Sequence, residues 1–202
     1  MSRLSCVVLS AVAAVSLSTA AFAAPNPPPT PAQDPSQPVK AVTLAVQQMP
    51  RTTAAREGAV RQVLHDDFDL AWTARQALGA HWEAATPEQR ARFVAALETS
   101  ESKAYGERLG MLQGATLVVD RITPKGAGAW TIDSNVDALG DLPPLKLSWD
   151  VRDNGQGPRI VDVKVAGVSL FMTRRSEFNA VIQRSGGAIE PLVAQLEARA
   201  SR

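Results

Sequence analysis

Residues 145–165 read LKLSWDVRDNGQGPRIVDVKV, and their rhythm decides the fold. Leu145, Leu147, Trp149 and Val151 alternate with Lys146, Ser148, Asp150 and Arg152. That is the period of a strand with one face in water and the other covered. Asp153 to Pro158 is built of Asp, Asn, Gly and Pro and reads as a turn. Ile160 to Val165 supplies a second strand. Working outward, Trp130, Ile132, Val136 and Ala138 alternate with Thr131, Asp133, Asn135 and Asp137, and Leu117 to Ile122 reads as a further strand. Gly126-Ala127-Gly128 makes the turn between those two. Four consecutive strands on short turns predict an antiparallel meander with one wet face.

Upstream the period changes to that of a helix. Val39 to Met49 carries Val39, Val42, Leu44 and Val46 and ends at Pro50; Ala54 to Leu64 carries Val60, Val63 and Leu64. Phe68, Ala71, Trp72 and Leu78 follow at helical spacing. Thr86-Pro87-Glu88-Gln89 is a helix start, with threonine at the N-cap, proline at the first helical position and glutamine placed to close a capping box. This helix is expected to run to about Leu112 and stop at Gly114. After the sheet, a last helix from Ser176 to about Ala200 is interrupted around Gly186-Gly187. The expected class is α+β: N-terminal helices packed on one face of a four-stranded antiparallel sheet, with a helix at the C-terminal end.

The first 38 residues follow other rules. Met1 to Ala23 has a charged start at Arg3, an apolar run from Val7 to Leu17, and Ala21-Phe22-Ala23 as a small-x-small cleavage site. It reads as a secretory signal cut near Ala23, too short and wrongly flanked for a permanent membrane helix. Cys6 is the only cysteine, so the mature chain is expected to hold no disulfide. Residues 24–38 hold seven of the fourteen prolines and read as an extended tether. Residues 39–202 are left as one domain with a sizeable core. Losing Arg3 brings Lys+Arg from 21 to 20, against 20 Asp+Glu. Without clustered basic residues, this balance argues against a nucleic-acid partner.

Chemistry-bearing residues are sparse. His65, Asp66, Asp67 and Asp69 form the densest set of possible metal ligands, but with two histidines in the chain they read as a helix junction, an aspartate capping the next helix. No Gly-x-Ser-x-Gly elbow is present. An NTF2-like enzyme would suit the helix-then-sheet order, with Asp133 or Asp162 as base, yet both stand on the polar phase of their strands. On the long helix Phe93, Val94, Leu97, Tyr105, Leu109 and Leu112 share a stripe, with Glu101 and Arg108 near its middle. Either these two pair at the stripe's edge, or the stripe faces a cavity whose mouth needs polar groups. Val168, Leu170, Phe171 and Met172 then form an apolar run before Arg174 and Arg175. Trp130 and Trp149 lie on the apolar phase of the sheet and are expected to face the helices.

Several stretches together resemble one family. Phe68-Asp69, Ala74-Arg75, Leu78-Gly79 and Trp82 resemble its FD…AR…LG..W segment. Thr86 to Arg90 with Phe93 resembles its helix start, and Tyr105 and Leu109 its later Y…L pair. Asp162-Val163, Gly167 to Leu170 and Arg175 to Phe178 resemble its DV…GVSL…RS(Q/E)F segment. The family is MlaC/Ttg2D, also called toluene tolerance: periplasmic phospholipid-binding components of an ABC-type transport system. Two positions depart from its pattern, Ala166 for a glutamate and Glu101 for an apolar residue. The ending TRRSEFNAVIQRSGG resembles the hopanoid-associated HpnM branch.

The resemblance implies a periplasmic carrier, not an enzyme, with no cofactor or metal and an apolar cavity between helices and sheet. It would shuttle a phospholipid or hopanoid-type lipid between the inner and outer membranes. The implied partners are the lipid-binding subunit of an inner-membrane ABC transporter and an outer-membrane lipoprotein complex. Leu97, Tyr105, Leu109, Trp130, Trp149, Val168 and Leu170 are the expected lining, and Glu101, Arg108, Arg174 and Arg175 the expected rim. An NTF2-like enzyme acting on a small hydrophobic substrate and a non-catalytic interaction module are the alternatives.

Overall fold

The computed structural model describes residues 33–109, 115–137 and 144–201, with the backbone alone for 107–109. The expected end of the long helix, from Leu112 to Gly114, therefore lies outside the described residues, as do the signal and most of the tether.

Five helices come first: α1 (Gln37–Gln47), α2 (Thr53–Asp67), α3 (Leu70–Leu78), α4 (Ala80–Ala84) and α5 (Pro87–Leu109). The sheet follows as β1 (Leu117–Gly126), β2 (Ala129–Val136), β3 (Leu145–Asp153), β4 (Pro158–Val165) and β5 (Val168–Ser169), and the chain closes with α6 (Leu170–Arg184) and α7 (Glu190–Ala200). Pro38, expected as the tether's last residue, is instead buried in the first turn of α1.

Local chemistry explains these boundaries. At the start of α5, the Gln89 N–H donates to Thr86 Oγ1 and the Thr86 N–H to Gln89 Oε1, both at 3.1 Å, which is a closed capping box. α6 stops at Arg184, and Gly186 and Gly187 take φ of +66° and +89°, which side chains disfavour. α6 begins earlier than its sequence suggests, because two acceptors cap it. Ser169 Oγ takes the Met172 N–H at 2.9 Å and Asp162 Oδ1 the Phe171 N–H at 3.0 Å.

The sheet is an antiparallel meander in the order β1-β2-β3-β4-β5. It has one strand more than expected: a turn at Ala166-Gly167, with φ of +49° and +84°, folds two residues back as β5. Alternation sorts the faces. Ile132, Ser134 and Val136 are buried, and Trp149 Nε1 donates to Ser134 Oγ at 2.8 Å, satisfying both polar groups inside the core. On the wet face Asp150 accepts from Thr131 at 2.9 Å and from Lys164 at 2.7 Å.

Three apolar cores result. Val39, Val42 and Val46 of α1 cover Ile132, Trp149, Val151 and Ile160 of the sheet. A larger core joins α3, α5, α6 and α7, with Phe93 and Phe178 edge to face at 5.6 Å between centroids. The smallest gathers Met49, Val60 and Leu64 with Phe68, Leu70 and Tyr105.

Thr86→Ala removes one half of the capping box while leaving the core of α5 intact. The expected outcome is a loss of about 1 kcal/mol in urea-unfolding free energy with an unchanged m-value.

Candidate functional site

A pocket opens where the three cores meet the edge of β4. Its wall is drawn from five elements and one linker: Leu64 of α2, Phe68, Leu70, Thr73 and Ala77 of α3, Leu97 and Tyr105 of α5, Val161 of β4, and Leu170, Phe171 and Phe178 of α6. The side chains of Leu97 and Tyr105 meet there because they stand eight residues apart on one helix face. Leu170, Arg174 and Phe178 repeat that spacing on α6. The cavity measures ≈ 80 Å³.

One extra residue in β4 helps to build it. Asp150 pairs with Asp162 and Val151 with Ile160, so Val161 is a bulge. A bulge bends its strand and re-aims its side chains. Here Val161 and Asp162 both line the pocket. Strict alternation had given Asp162 to solvent; its carboxylate instead caps α6. Asp133 stays on the wet face, accepting from Ser148.

The polar element of the wall is an ion pair. Arg174 Nε lies 2.8 Å from Glu101 Oε1, Arg174 Nη2 lies 3.1 Å from Glu101 Oε2, and Arg174 Nη1 meets Glu177 at 2.9 Å. The side chains of Glu101 and Arg174 are 12% and 24% exposed. Burial opposes the charge on Arg174, but Glu101 and Glu177 outweigh it and raise the guanidinium pKa.

Of the residues expected at the site, the structure brings Leu97, Tyr105, Leu170, Glu101 and Arg174 together. It separates others. Trp130 and Trp149 face helices as their phase requires, but the helix opposite them is α1, and they belong to the sheet core. Val168 sits on β5, 61% exposed. Arg175 lies beside Gly79, away from the pocket wall. The side chains of Arg108 and Leu109 lie outside the described residues. Phe68, Leu70, Ala77 and Phe178 were not anticipated as lining; the helical repeat that links Leu170 to Phe178 was the available signal.

The His65 to Asp69 cluster has other occupations. His65 Nδ1 lies 2.9 Å from Asp66, and that hydrogen bond raises the histidine's pKa. Asp69 caps α3 through the Trp72 N–H at 3.0 Å. Among the described residues, no group of three His, Cys, Asp or Glu is arranged to hold a metal ion. Asp67 is the perturbed member: burial first, then Asp66, pushes its carboxyl up to about 6.

Because Asp67 has a raised pKa, its protonated form favours the fold. That contribution is complete below about pH 4 and is lost as pH rises through 6. Asp67→Asn should therefore stabilise the protein at about pH 7.5 by on the order of 1 kcal/mol, discounted for its partial exposure, with the gain fading to nothing by about pH 4. Melting curves across that range measure it. For the ion pair, Glu101→Leu alone should cost about 2–4 kcal/mol, because it takes from Arg174 its more buried partner and leaves Glu177 alone. Glu101→Leu with Arg174→Leu should recover most of that loss in an apolar wall, read by urea unfolding of both variants.

A family model described as MlaC protein matches residues 37–198. The fold is also similar to that of a phospholipid-binding protein from Ralstonia solanacearum, solved in complex with a phospholipid. The two are 22% identical, the alignment covers 82% of this chain and 94% of that one, and the TM-score is 0.70. The structural likeness establishes a shared fold, and the family match runs from the first residue of α1 into the last turn of α7. The chain belongs to the MlaC family.

Proposed function

We propose that the protein is a lipid carrier, secreted by cleavage near Ala23 and working in the periplasm. The observation that carries this reading is the pocket: an apolar wall gathered from separate helices and one strand, in a family whose fold is shared by a protein solved with a phospholipid. Its cargo is a phospholipid or hopanoid-type lipid. Its partners are the lipid-binding subunit of an inner-membrane ABC transporter and an outer-membrane lipoprotein complex, between which it shuttles lipid without making or breaking bonds.

Burial suffices as a mechanism. Each methylene removed from water contributes about 0.8 kcal/mol, so one acyl chain supplies a tight interaction without a charged anchor. The two carboxylates of the pocket already have structural work, Glu101 against Arg174 and Asp162 at the start of α6, which favours a carrier over an enzyme needing a free base.

The pocket's ≈ 80 Å³ is small beside the roughly 300–1,000 Å³ of typical ligand sites. Loading an acyl chain therefore widens it. The wall has two kinds of contact to yield: the Glu101–Arg174 pair between α5 and α6, and the tilted Trp72–Phe171 contact between α3 and α6, 6.3 Å between centroids. α6 takes part in both and is the element that moves.

Native mass spectrometry of the protein purified without detergent tests the reading. Species heavier by one or two lipid masses are expected, and their fragmentation separates phospholipid from hopanoid. Leu97→Trp, which fills the pocket, should cut lipid occupancy about tenfold, since the indole takes the space of several methylenes. Val168→Trp, on the exposed β5, should not. Protein that stays bare after incubation with lipids of its own organism would overturn the carrier reading.

A further inference from the structure

Leu170 and Phe171 of the pocket wall are flanked in sequence by two side chains that face solvent: Val168, 61% exposed, and Met172, 55% exposed. No other large apolar side chain among the described residues is as exposed. The backbone holds both out. The turn at Ala166-Gly167 is pinned by the Ala166 N–H, which donates to the Lys146 carbonyl at 3.1 Å, and it sets Val168 on the two-residue edge strand β5. Ser169 Oγ accepts from the Met172 N–H at 2.9 Å and so fixes the first turn of α6 against the end of that strand. A residue placed like Val168, just before an N-cap, ordinarily packs on the fourth residue of the helix. Here that residue is Thr173, whose hydroxyl donates instead to the Ser169 carbonyl at 2.8 Å. Val168 gains no apolar partner there, and the hydroxyls beside it are already engaged, which lowers the cost of taking this tip out of water.

Charge around the tip has a positive excess. From Val163 to Ser176 the chain carries three basic residues and no acidic one. Lys164 is paired with Asp150 at 2.7 Å, and Arg174 with Glu101 and Glu177. Arg175, three residues after Met172 and so on the same side of α6, forms no ion pair among the described residues, and neither does the exposed Lys146 beside the turn. The acids that share a surface with Lys146 and Gly167 are Asp120 and Asp133; Arg121 lies among them, and Asp133 accepts from Ser148.

We propose that this tip docks the protein on an anionic lipid bilayer, with Val168 and Met172 entering the hydrocarbon boundary and Lys146 and Arg175 at the headgroups. Two aliphatic side chains fall well short of the roughly 800 Å² per partner of a stable protein interface. A bilayer asks for less: it takes up single apolar side chains with no shape to match, and its anionic headgroups attract each nearby lysine or arginine. Docking at the tip is separate from loading of the pocket, so it holds whether or not the protein carries lipid.

Flotation on a sucrose gradient with extruded vesicles tests it. The purified protein is expected to float with vesicles of equal parts dioleoylphosphatidylglycerol and dioleoylphosphatidylcholine, and about tenfold less with dioleoylphosphatidylcholine alone, the effect of two cations near a charged surface. Val168→Ser with Met172→Ser should cut binding to the mixed vesicles about tenfold while leaving the melting temperature unchanged, since both side chains are exposed. Lys146→Gln with Arg175→Gln should bring it down to the level of the neutral vesicles. Leu97→Trp, which fills the pocket, should float like the unaltered protein. Unaltered protein that stays at the bottom of the gradient with mixed vesicles would overturn the docking site, as would a serine variant that floats equally well. Loss of flotation in Leu97→Trp would show that the association runs through the pocket and would overturn it too. In sedimentation velocity without vesicles, a dimer that the serine substitutions dissociate would assign the tip to a second copy of the chain, against the bilayer.

Discussion

Phe68 and Asp69 tie the linker between α2 and α3 to the sheet. The Asp69 N–H donates to the Ile160 carbonyl at 2.9 Å, so the linker between α2 and α3 runs briefly beside β4 as a parallel bridge. The Asp69 carboxylate then caps α3 and lies 3.5 Å from Arg152 of β3, whose guanidinium stacks over Trp72 at 5.1 Å. A single acidic side chain thereby fixes the start of one helix to the neighbouring strand. Phe68 touches both the sheet core and the small α2 core. The pocket lies beside this tie, walled by Phe68, by α3 and β4, and on another side by α6.

The wall follows from that geometry. An apolar seam between separately packed cores would ordinarily fill with side chains, since interiors pack densely. Here a charged pair stands in the seam between α5 and α6. Two groups that must stay hydrogen-bonded to one another hold the helices at the distance their bond requires, which a purely aliphatic contact does not. Buried ion pairs are weak stabilisers and specific spacers. Glu101 and Arg174 fit that description, and Arg174 also donates to Glu177, because its guanidinium has more donors than one carboxylate can occupy.

What the sequence disclosed, and what it hid, divides along the range of the interaction. The capping box at Thr86 and Gln89, the break at Gly186-Gly187 and the alternation of β2, β3 and β4 were legible, because each is settled within a few residues. The motif that resembles the family was legible too, and the structure shows what several of its residues do. Asp69 caps, Ala74 and Leu78 fill the core, and Arg90 donates to the Trp82 carbonyl at 2.8 Å while lying over the indole. These are architectural roles. The position of the pocket was hidden, since it depends on which helix lies against which face. Alternation shows that Trp130 and Trp149 point inward, but not that α1 covers them while α3, α5 and α6 gather at the sheet's edge. Val168 lies outside because a tight turn at Ala166-Gly167 reverses the chain, and Asp162 lies at the pocket because of the bulge at Val161. Both turn on single-residue irregularities that a periodic pattern does not register.

A carrier has to release what it holds, and this constrains where its binding energy can lie. If hydrocarbon burial supplied affinity inside a rigid cavity, every methylene added would slow release in proportion. On the proposed carrier reading, a pocket of ≈ 80 Å³ that widened on loading would work differently. Part of the burial free energy would be offset by parting α6 from its neighbours and by separating Glu101 from Arg174. The net affinity would be lower than the buried surface implies, and closure of α6 would favour expulsion. A partner that stabilised the closed arrangement would then extract lipid without competing for the chains themselves, because any molecule favouring one state shifts the population toward it.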